Sequence, residues 1–328
     1  MRVFTNSWGL TLSIFLTIVF SVSLPFSFDS SYFISVSNLS QIIVFLIFFA
    51  QGWCIQTFSL EEMGFDLKGL FRVHGLIFLG PMFFVLIAIY FKIIPVHLAD
   101  GFFILCILPT TVSSCVVYTS LSGGNSETAL GHATLSSILG IFWAPLAWMI
   151  FKAGDQHDEL FKLIIEIGFL LLPKLFFLVL IPCVFGWLIK KIVKIRGLAK
   201  VDGILKQATF GGILILVYFS FSKTVLVLGI YGIFELVKDS VVIILFFTLW
   251  LSALSWFVTN LFQKDPRLRV AEFFCASQKS LAVGLPLAVL LSPNNSAMIT
   301  FPMIFYHLIQ LSIGAFFVNR IKRSFIKL

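Results

Sequence analysis

Long apolar runs separated by short polar segments make up almost all of this chain. They fall near residues 8–25, 39–57, 70–91, 101–121, 127–151, 168–189, 204–222, 239–262, 270–291 and 298–318. Each is near the ~20 residues a helix needs to cross the hydrocarbon core of a bilayer. The runs are continuous, not alternating in ~10-residue segments, which argues for helices and against a β-barrel. The pattern predicts an all-α polytopic membrane protein of ten transmembrane helices. Two runs are interrupted. The fourth contains Leu108-Pro109-Thr110-Thr111-Val112-Ser113-Ser114-Cys115, and the ninth contains Cys275-Ala276-Ser277-Gln278-Lys279-Ser280-Leu281, followed by Gly284-Leu285-Pro286. They hold matching places in two five-helix halves. Helix-breaking backbone survives in a bilayer only where protein or a water-filled cavity satisfies the freed polar groups. A matched pair of broken spans points to a transporter's midplane binding site, and an odd number of spans per half makes the halves inverted repeats. The chain reads as one membrane domain over 1–328, with a first repeat at about 1–155 and a second at about 156–328.

Composition strengthens this reading. Hydrophobic residues make up 59% and charged residues 12%, with a mean hydropathy of +1.05. A soluble domain carries roughly 25% charge. The net charge of +8 is a topology signal. Lys190, Lys191, Lys194, Arg196, Lys200 and Lys206 share one connector, and Arg267, Arg269, Arg320, Lys322 and Arg323 fall on the same predicted side. The opposite side holds only Lys92, Lys152, Lys162, Lys223 and Lys238. The positive-inside rule places both termini in the cytoplasm, in an inner or cytoplasmic membrane. Nucleic acid is not an expected partner; the lipid bilayer is. The first run is expected to persist as a span and not to be cleaved as a signal peptide, because it is longer than an ordinary signal core. Cys54, Cys106, Cys115, Cys183 and Cys275 all fall in apolar runs without metal spacing, so neither a disulfide nor zinc is expected. Trp8, Trp53, Trp143, Trp148, Trp187 and Trp256 lie near span ends, as an interfacial belt requires.

The candidate chemistry gathers at the breaks. Pro109 removes a backbone donor and frees upstream carbonyls to face a cation or water. Thr110, Thr111, Ser113 and Ser114 offer hydroxyls beside it. Such hydroxyls also bond back to their own helix or glue neighbouring helices. Gly123, Gly124 and Asn125 form a tight turn, with Asn125 placed to cap the fifth span. Gln278, Lys279 and Ser280 interrupt the ninth, flanked by the breakers Gly284 and Pro286. A lysine at mid-bilayer costs at least ~2.5–3.5 kcal/mol and needs a polar partner or a cavity. It is either paired with or neutralised by its surroundings, or it attracts an anionic substrate, or its ammonium stands where a sodium ion would bind. Glu272, seven residues away, is too far along the axis to pair with it directly. His307 and Gln310, three apart in the tenth run, share a helical face. Lys174 is expected to snorkel to the outer interface, and the mixed charges from Asp155 to Glu166 read as a solvated connector. No nucleotide loop, hydrolase elbow or zinc-protease motif is present, so an enzyme is not expected.

The stretch from Pro109 to Thr119, the turn Gly123-Gly124-Asn125, the run Gln278-Lys279-Ser280-Leu281-Ala282-Val283-Gly284-Leu285-Pro286 and the run from Pro302 to Gln310 occur in a familiar order. Together with Val217-Tyr218-Phe219-Ser220, they resemble the bile acid:sodium symporter superfamily, and within it the branch of the sodium/bile acid cotransporter 7 proteins. The resemblance implies ten helices in two inverted five-helix repeats, a core domain carrying crossing broken helices 4 and 9, and a panel domain that rocks against it. It implies secondary transport of a small organic anion coupled to sodium. Ser114 and Gln278 match sodium-ligand positions and are the candidate sodium ligands; no other metal ligand is expected. Ala129, Ala133 and Phe274 stand where the bile acid branch has hydroxyls and a glutamate, Cys115 where it has an asparagine, and Lys279 replaces another asparagine. A hard cation wants several oxygen ligands, so these departures weaken sodium coupling. They suggest that Lys279 substitutes for one cation and exchanges a proton during the cycle. A non-transporting membrane regulator or scaffold that keeps the fold is the alternative function.

Overall fold

The structure, a computed structural model, describes residues 7–25, 36–54, 67–153, 173, 176–192, 198–291 and 296–326. Among them the regular structure is helical. Helices α1 (Ser7–Ser23), α2 (Val36–Cys54) and α3 (Leu67–Tyr90) match the first three apolar runs. The fourth run is split into α4 (Val96–Ile107) and α5 (Val112–Leu121), and the fifth is α6 (Ser126–Ala153). A short π-helical turn, Phe176–Leu180, leads into α7 (Ile181–Ile192). Helix α8 (Leu198–Phe262) contains the seventh and eighth runs, α9 (Pro266–Ser277) and α10 (Leu281–Leu291) are the halves of the ninth, and α11 (Ser296–Ile326) is the tenth. Lys174, the Asp155–Glu166 segment and the junction between repeats at about 155 lie outside the described residues.

The expected connector between the seventh and eighth runs is helical instead. Residues 223–238 are mostly helix formers and β-branched apolar residues, with no proline to stop them. A straight helix of that length would reach ~100 Å, several times the ~30 Å of a hydrocarbon core. Gly229 divides it, with φ 69° and ψ 178°. That backbone region is open essentially to glycine alone.

The helices form two groups. In the first, α1, α2, α7 and the part of α8 before Gly229 pack together. Gly52 of α2 lies so near α7 that a Cβ there would stand 1.8 Å from the Cys183 carbonyl oxygen. Tyr218 donates to the Leu24 carbonyl at 2.9 Å, and Trp53 Nε1 donates to Asp202 at 2.6 Å. Trp53 is therefore buried, not part of an interfacial belt. In the second group, α3 to α6, α9 to α11 and the part of α8 after Gly229 surround the two breaks. Phe84 of α3 meets Trp250 of α8 at 4.8 Å, and Phe247 meets Tyr306 of α11 at 5.5 Å. These groups have the composition of a panel and a core.

Breakage differs between the two interrupted spans. Residues 108–111 are extended, and α4 and α5 bend by 58° across them. Helices α9 and α10 are interrupted only over 278–280 and together read as one span, Pro266–Leu291. Gly284 and Pro286, placed at the break by the sequence pattern, lie inside α10. Pro286 falls in its second turn, and Gly284 permits close approach: a Cβ there would stand 2.4 Å from a Leu108 methyl.

Candidate functional site

The breaks touch through backbone. The amide of Ser280 donates to the Pro109 carbonyl oxygen at 2.9 Å. Proline ends α4 by lacking its own donor, and the last carbonyls of a helix have no partner within it. Lys279 supplies one. Its Nζ donates to the carbonyl oxygens of Cys106 at 3.0 Å and Leu108 at 2.9 Å, and also to Ile77 of α3. The side chain is 1% exposed. A mid-membrane lysine costs at least ~2.5–3.5 kcal/mol, and hydrogen bonds to a charged group return roughly 1.5–3 kcal/mol each. Three such bonds match or exceed that cost. The partners of Lys279 in this arrangement are main-chain oxygens of the kind that coordinate a bare cation.

Helix α11 holds the second break from behind. The Lys279 amide donates to Gln310 Oε1 at 2.7 Å, and Gln310 Nε2 donates back to the Lys279 carbonyl at 2.9 Å. Gln310 Nε2 also meets His307 Nδ1 at 2.9 Å. Tyr306 donates to the Ser277 carbonyl at 3.0 Å. One face of α11 thereby satisfies an unwound peptide that no lipid could. Tyr306, part of the run from Pro302 to Gln310 that carries the resemblance, joins the candidate site residues through its bond to the Ser277 carbonyl.

The remaining candidates separate by role. Ser114 Oγ donates to Gln278 Oε1 at 2.9 Å, joining α5 to the second break. The Thr110 amide donates to Ser136 Oγ of α6 at 3.3 Å. Ser280 accepts from the Val283 amide at 3.4 Å, as an N-cap of α10. Asn125 accepts from the amides of Glu127 and Thr128 at 3.0 and 3.1 Å, capping α6. Gly123 has φ 78°, and the Gly124 amide closes the turn onto Thr119 O at 2.9 Å. Thr111 is buried and meets Ser113 Oγ at 3.3 Å, whereas Ser113 is exposed and is not drawn into the crossing.

The positions matched to sodium ligands do not fit a hard cation. Ala129, Ala133 and Phe274 are fully buried in an apolar cluster with Val73, Tyr118 and Cys275. Ser114 and Gln278, the two oxygen-bearing residues left, are bonded to each other. The structure therefore identifies neither as a metal ligand.

A cleft opens between the two groups of helices. Phe48, Gln51 and Cys54 of α2 and Cys183 of α7 line one wall; Thr134, Ser137 and Ile141 of α6 line the other. Val112, the first residue of α5, and Val283, near the start of α10, complete it. Both half-helix N-termini at the crossing thus abut the cleft, and such termini favour anions. Its cavity volume is about 30 Å³, room for water but not for an organic solute.

Comparison with known proteins agrees with this architecture. The model of the SBF-like CPA transporter family matches residues 9–323. The chain is similar to "Putative symporter YfeH" of Escherichia coli, 31% identical over 305 residues that cover 88% of this chain and 85% of the relative. It is similar to "Sodium/bile acid cotransporter 7" of Xenopus tropicalis, 27% identical over 303 residues, covering 87% and 82% of the two chains. The mouse protein of the same name is 27% identical over 310 residues, covering 87% and 83%. With several apolar helices folded around two touching breaks, this multi-pass membrane chain belongs to the SBF-like CPA transporter family.

Proposed function

We propose that this symporter-type transporter carries a small organic anion by alternating access, with Lys279 in place of a bound cation. The observation that supports it is the Lys279 ammonium held by the carbonyls of Ile77, Cys106 and Leu108. An ammonium tied there offers positive charge at the crossing without any sodium ligand. The cleft adds the N-termini of α5 and α10 for the anionic end. Gln51, Thr134 and Ser137 supply hydrogen bonds, and Phe48, Ile138 and Ile141 an apolar wall for a carbon skeleton. The water-sized cavity implies that the panel-like and core-like groups part to admit a substrate. The membrane is a cytoplasmic one, with the Arg267–Arg269 end inside by charge.

Uptake into liposomes containing the purified protein tests this reading, with a panel of radiolabelled organic anions that includes a bile acid. Saturable flux that persists when choline replaces sodium, and that falls at least tenfold in Lys279→Gln, is the expected result. Flux that demands sodium, or that is unchanged in Lys279→Gln, refutes the lysine-substituted site. A chain without flux for any anion, but with partner-dependent effects, would be the scaffold alternative.

A further inference from the structure

The α2 wall of the cleft ends in charge. Phe48, Gln51 and Cys54 line it at three-residue steps and so form one row on one face of α2. At ~1.5 Å per residue, the row runs about 9 Å along the helix. Its mouth end is Cys54, half-buried and the last residue of α2. The same cleft reaches Val112 and Val283, in the first turns of α5 and α10. None of its lining residues carries a charge.

Three charged side chains surround that mouth. Lys206 of α8, Lys190 of α7 and Asp202 of α8 all act electrostatically on the Cys54 thiol, Lys206 the most strongly. Lys190 Nζ donates to the Trp53 carbonyl at 2.8 Å, one residue before Cys54. Asp202 accepts from Trp53 Nε1 at 2.6 Å. Lys206 follows Asp202 by four residues and shares its face of α8. It is exposed, and neither lysine makes an ion pair among the described residues. Lys191 is turned to another partner, 5.0 Å over the Trp187 ring. Two ammoniums and one carboxylate leave one net positive charge beside Cys54, and the carboxylate is already held by an indole. Like charges gathered without a counter-ion favour an anion between them. A cleft mouth of one sign also concentrates ions of the other.

We propose that Lys190 and Lys206 form a second anion site at the basic mouth of the cleft, a vestibule for the carboxylate or sulfonate of the transported anion. The single net charge suits a monoanion. Recognition is then divided along the cleft: ammoniums at the mouth, an uncharged passage beside Gln51, and half-helix N-termini at the crossing. Both lysines stand on the panel-like group and both N-termini on the core-like group, so an anion in transit is handed from one group to the other. This deepens the transporter reading and rests on it for the passage of cargo. Binding at the mouth, however, is measurable in a protein that moves nothing.

Cys54 is a built-in reporter for the test. Purified full-length protein in detergent is labelled with methanethiosulfonates, and modification of Cys54 is followed by peptide mass spectrometry. With each rate divided by that of a free thiol, the sulfonatoethyl reagent should react about tenfold faster than the trimethylammonium reagent. Lys206→Gln should remove most of that preference, and Lys206→Arg should keep it; thermal unfolding confirms that each variant is folded. No preference in the native protein, or one unchanged in Lys206→Gln, overturns the site. Ethanesulfonate, an unreactive monoanion, should slow labelling of Cys54 by neutral N-ethylmaleimide saturably, and should fail to do so in Lys190→Gln with Lys206→Gln. Protection that is absent from the native protein, or that survives in the double variant, overturns binding there. In liposomes, Lys206→Gln should raise the KM for anion presented to the basic face about threefold, and an unchanged KM overturns the role in transport. If protection holds but no anion is carried, the site stands and the transporter reading fails; if flux is intact without protection, the reverse is true.

Discussion

Single residues in this protein act mainly by closing backbone that the membrane cannot solvate. Lys279 and Gln310 were legible as candidates because polar side chains deep in apolar runs demand a partner. Their partners were not legible by name. Three of the Lys279 contacts are carbonyls of Ile77, Cys106 and Leu108, and a carbonyl leaves no mark in the sequence beyond the proline that frees it. Arg72 and Glu272 were hidden for another reason: they are 200 positions apart, and only the fold brings them together. Their side chains are 11% and 3% exposed. Breaking such a pair from one side strands a buried charge and costs about 3–5 kcal/mol, whereas replacing both partners with apolar residues is often neutral. Arg72→Leu is therefore expected to lower unfolding stability markedly, and Arg72→Leu with Glu272→Leu to recover most of it. Equal destabilisation of the single and double variants in detergent-unfolding curves would show that the pair carries no stranded-charge penalty.

At the level of helices, hydrophobic length predicted most of the elements, since a span must be apolar for about as many residues as the bilayer is thick. It failed between the seventh and eighth runs, where an apolar connector stayed helical and only Gly229 marks the division. It also misplaced Gly284 and Pro286, whose breaking tendency is overridden once Ser280 caps the helix that contains them. Close packing of helices is equally invisible to hydropathy. A Cβ at Gly52 would lie 1.8 Å from the Cys183 carbonyl oxygen, and one at Gly186 2.1 Å from that of Phe49. Small residues let membrane helices approach at their backbones. Gly52→Val and Gly186→Val should each separate α2 from α7 and sharply reduce the yield of folded protein in gel filtration. Gly75, with nothing within 4 Å of its missing side chain, is the control. Gly75→Ala should be neutral or stabilise by up to ~1 kcal/mol. Similar losses at all three positions would show that helix propensity, not contact, governs the effect.

The whole molecule divides into two groups of helices, each with polar ties of its own. Trp53 with Asp202 and Tyr218 with Leu24 bind one group of helices. Arg72 with Glu272, Ser114 with Gln278 and Lys152 with Asp100 bind the other. Between them lie apolar contacts such as Phe221 against Phe301, 6.0 Å between ring centroids, and the cleft. Gln51 and Ser137 stand on its opposite walls. Bridging Gln51→Cys and Ser137→Cys with a cleavable bifunctional thiol reagent, in a background lacking Cys54 and Cys183, should arrest anion flux. Reduction should restore it, and flux that continues through the bridge would exclude movement at this seam. The tethered ammonium of Lys279 has an electrical consequence on the proposed reading. A sodium ion leaves with its cargo, but this charge cannot. Counting the ammonium and a monoanion alone, the loaded site is neutral, and the membrane voltage does little to that step. The empty carrier keeps its positive charge, and its return is the step that the voltage drives, by up to ~2.3 kcal/mol per 100 mV if the charge crosses the full field.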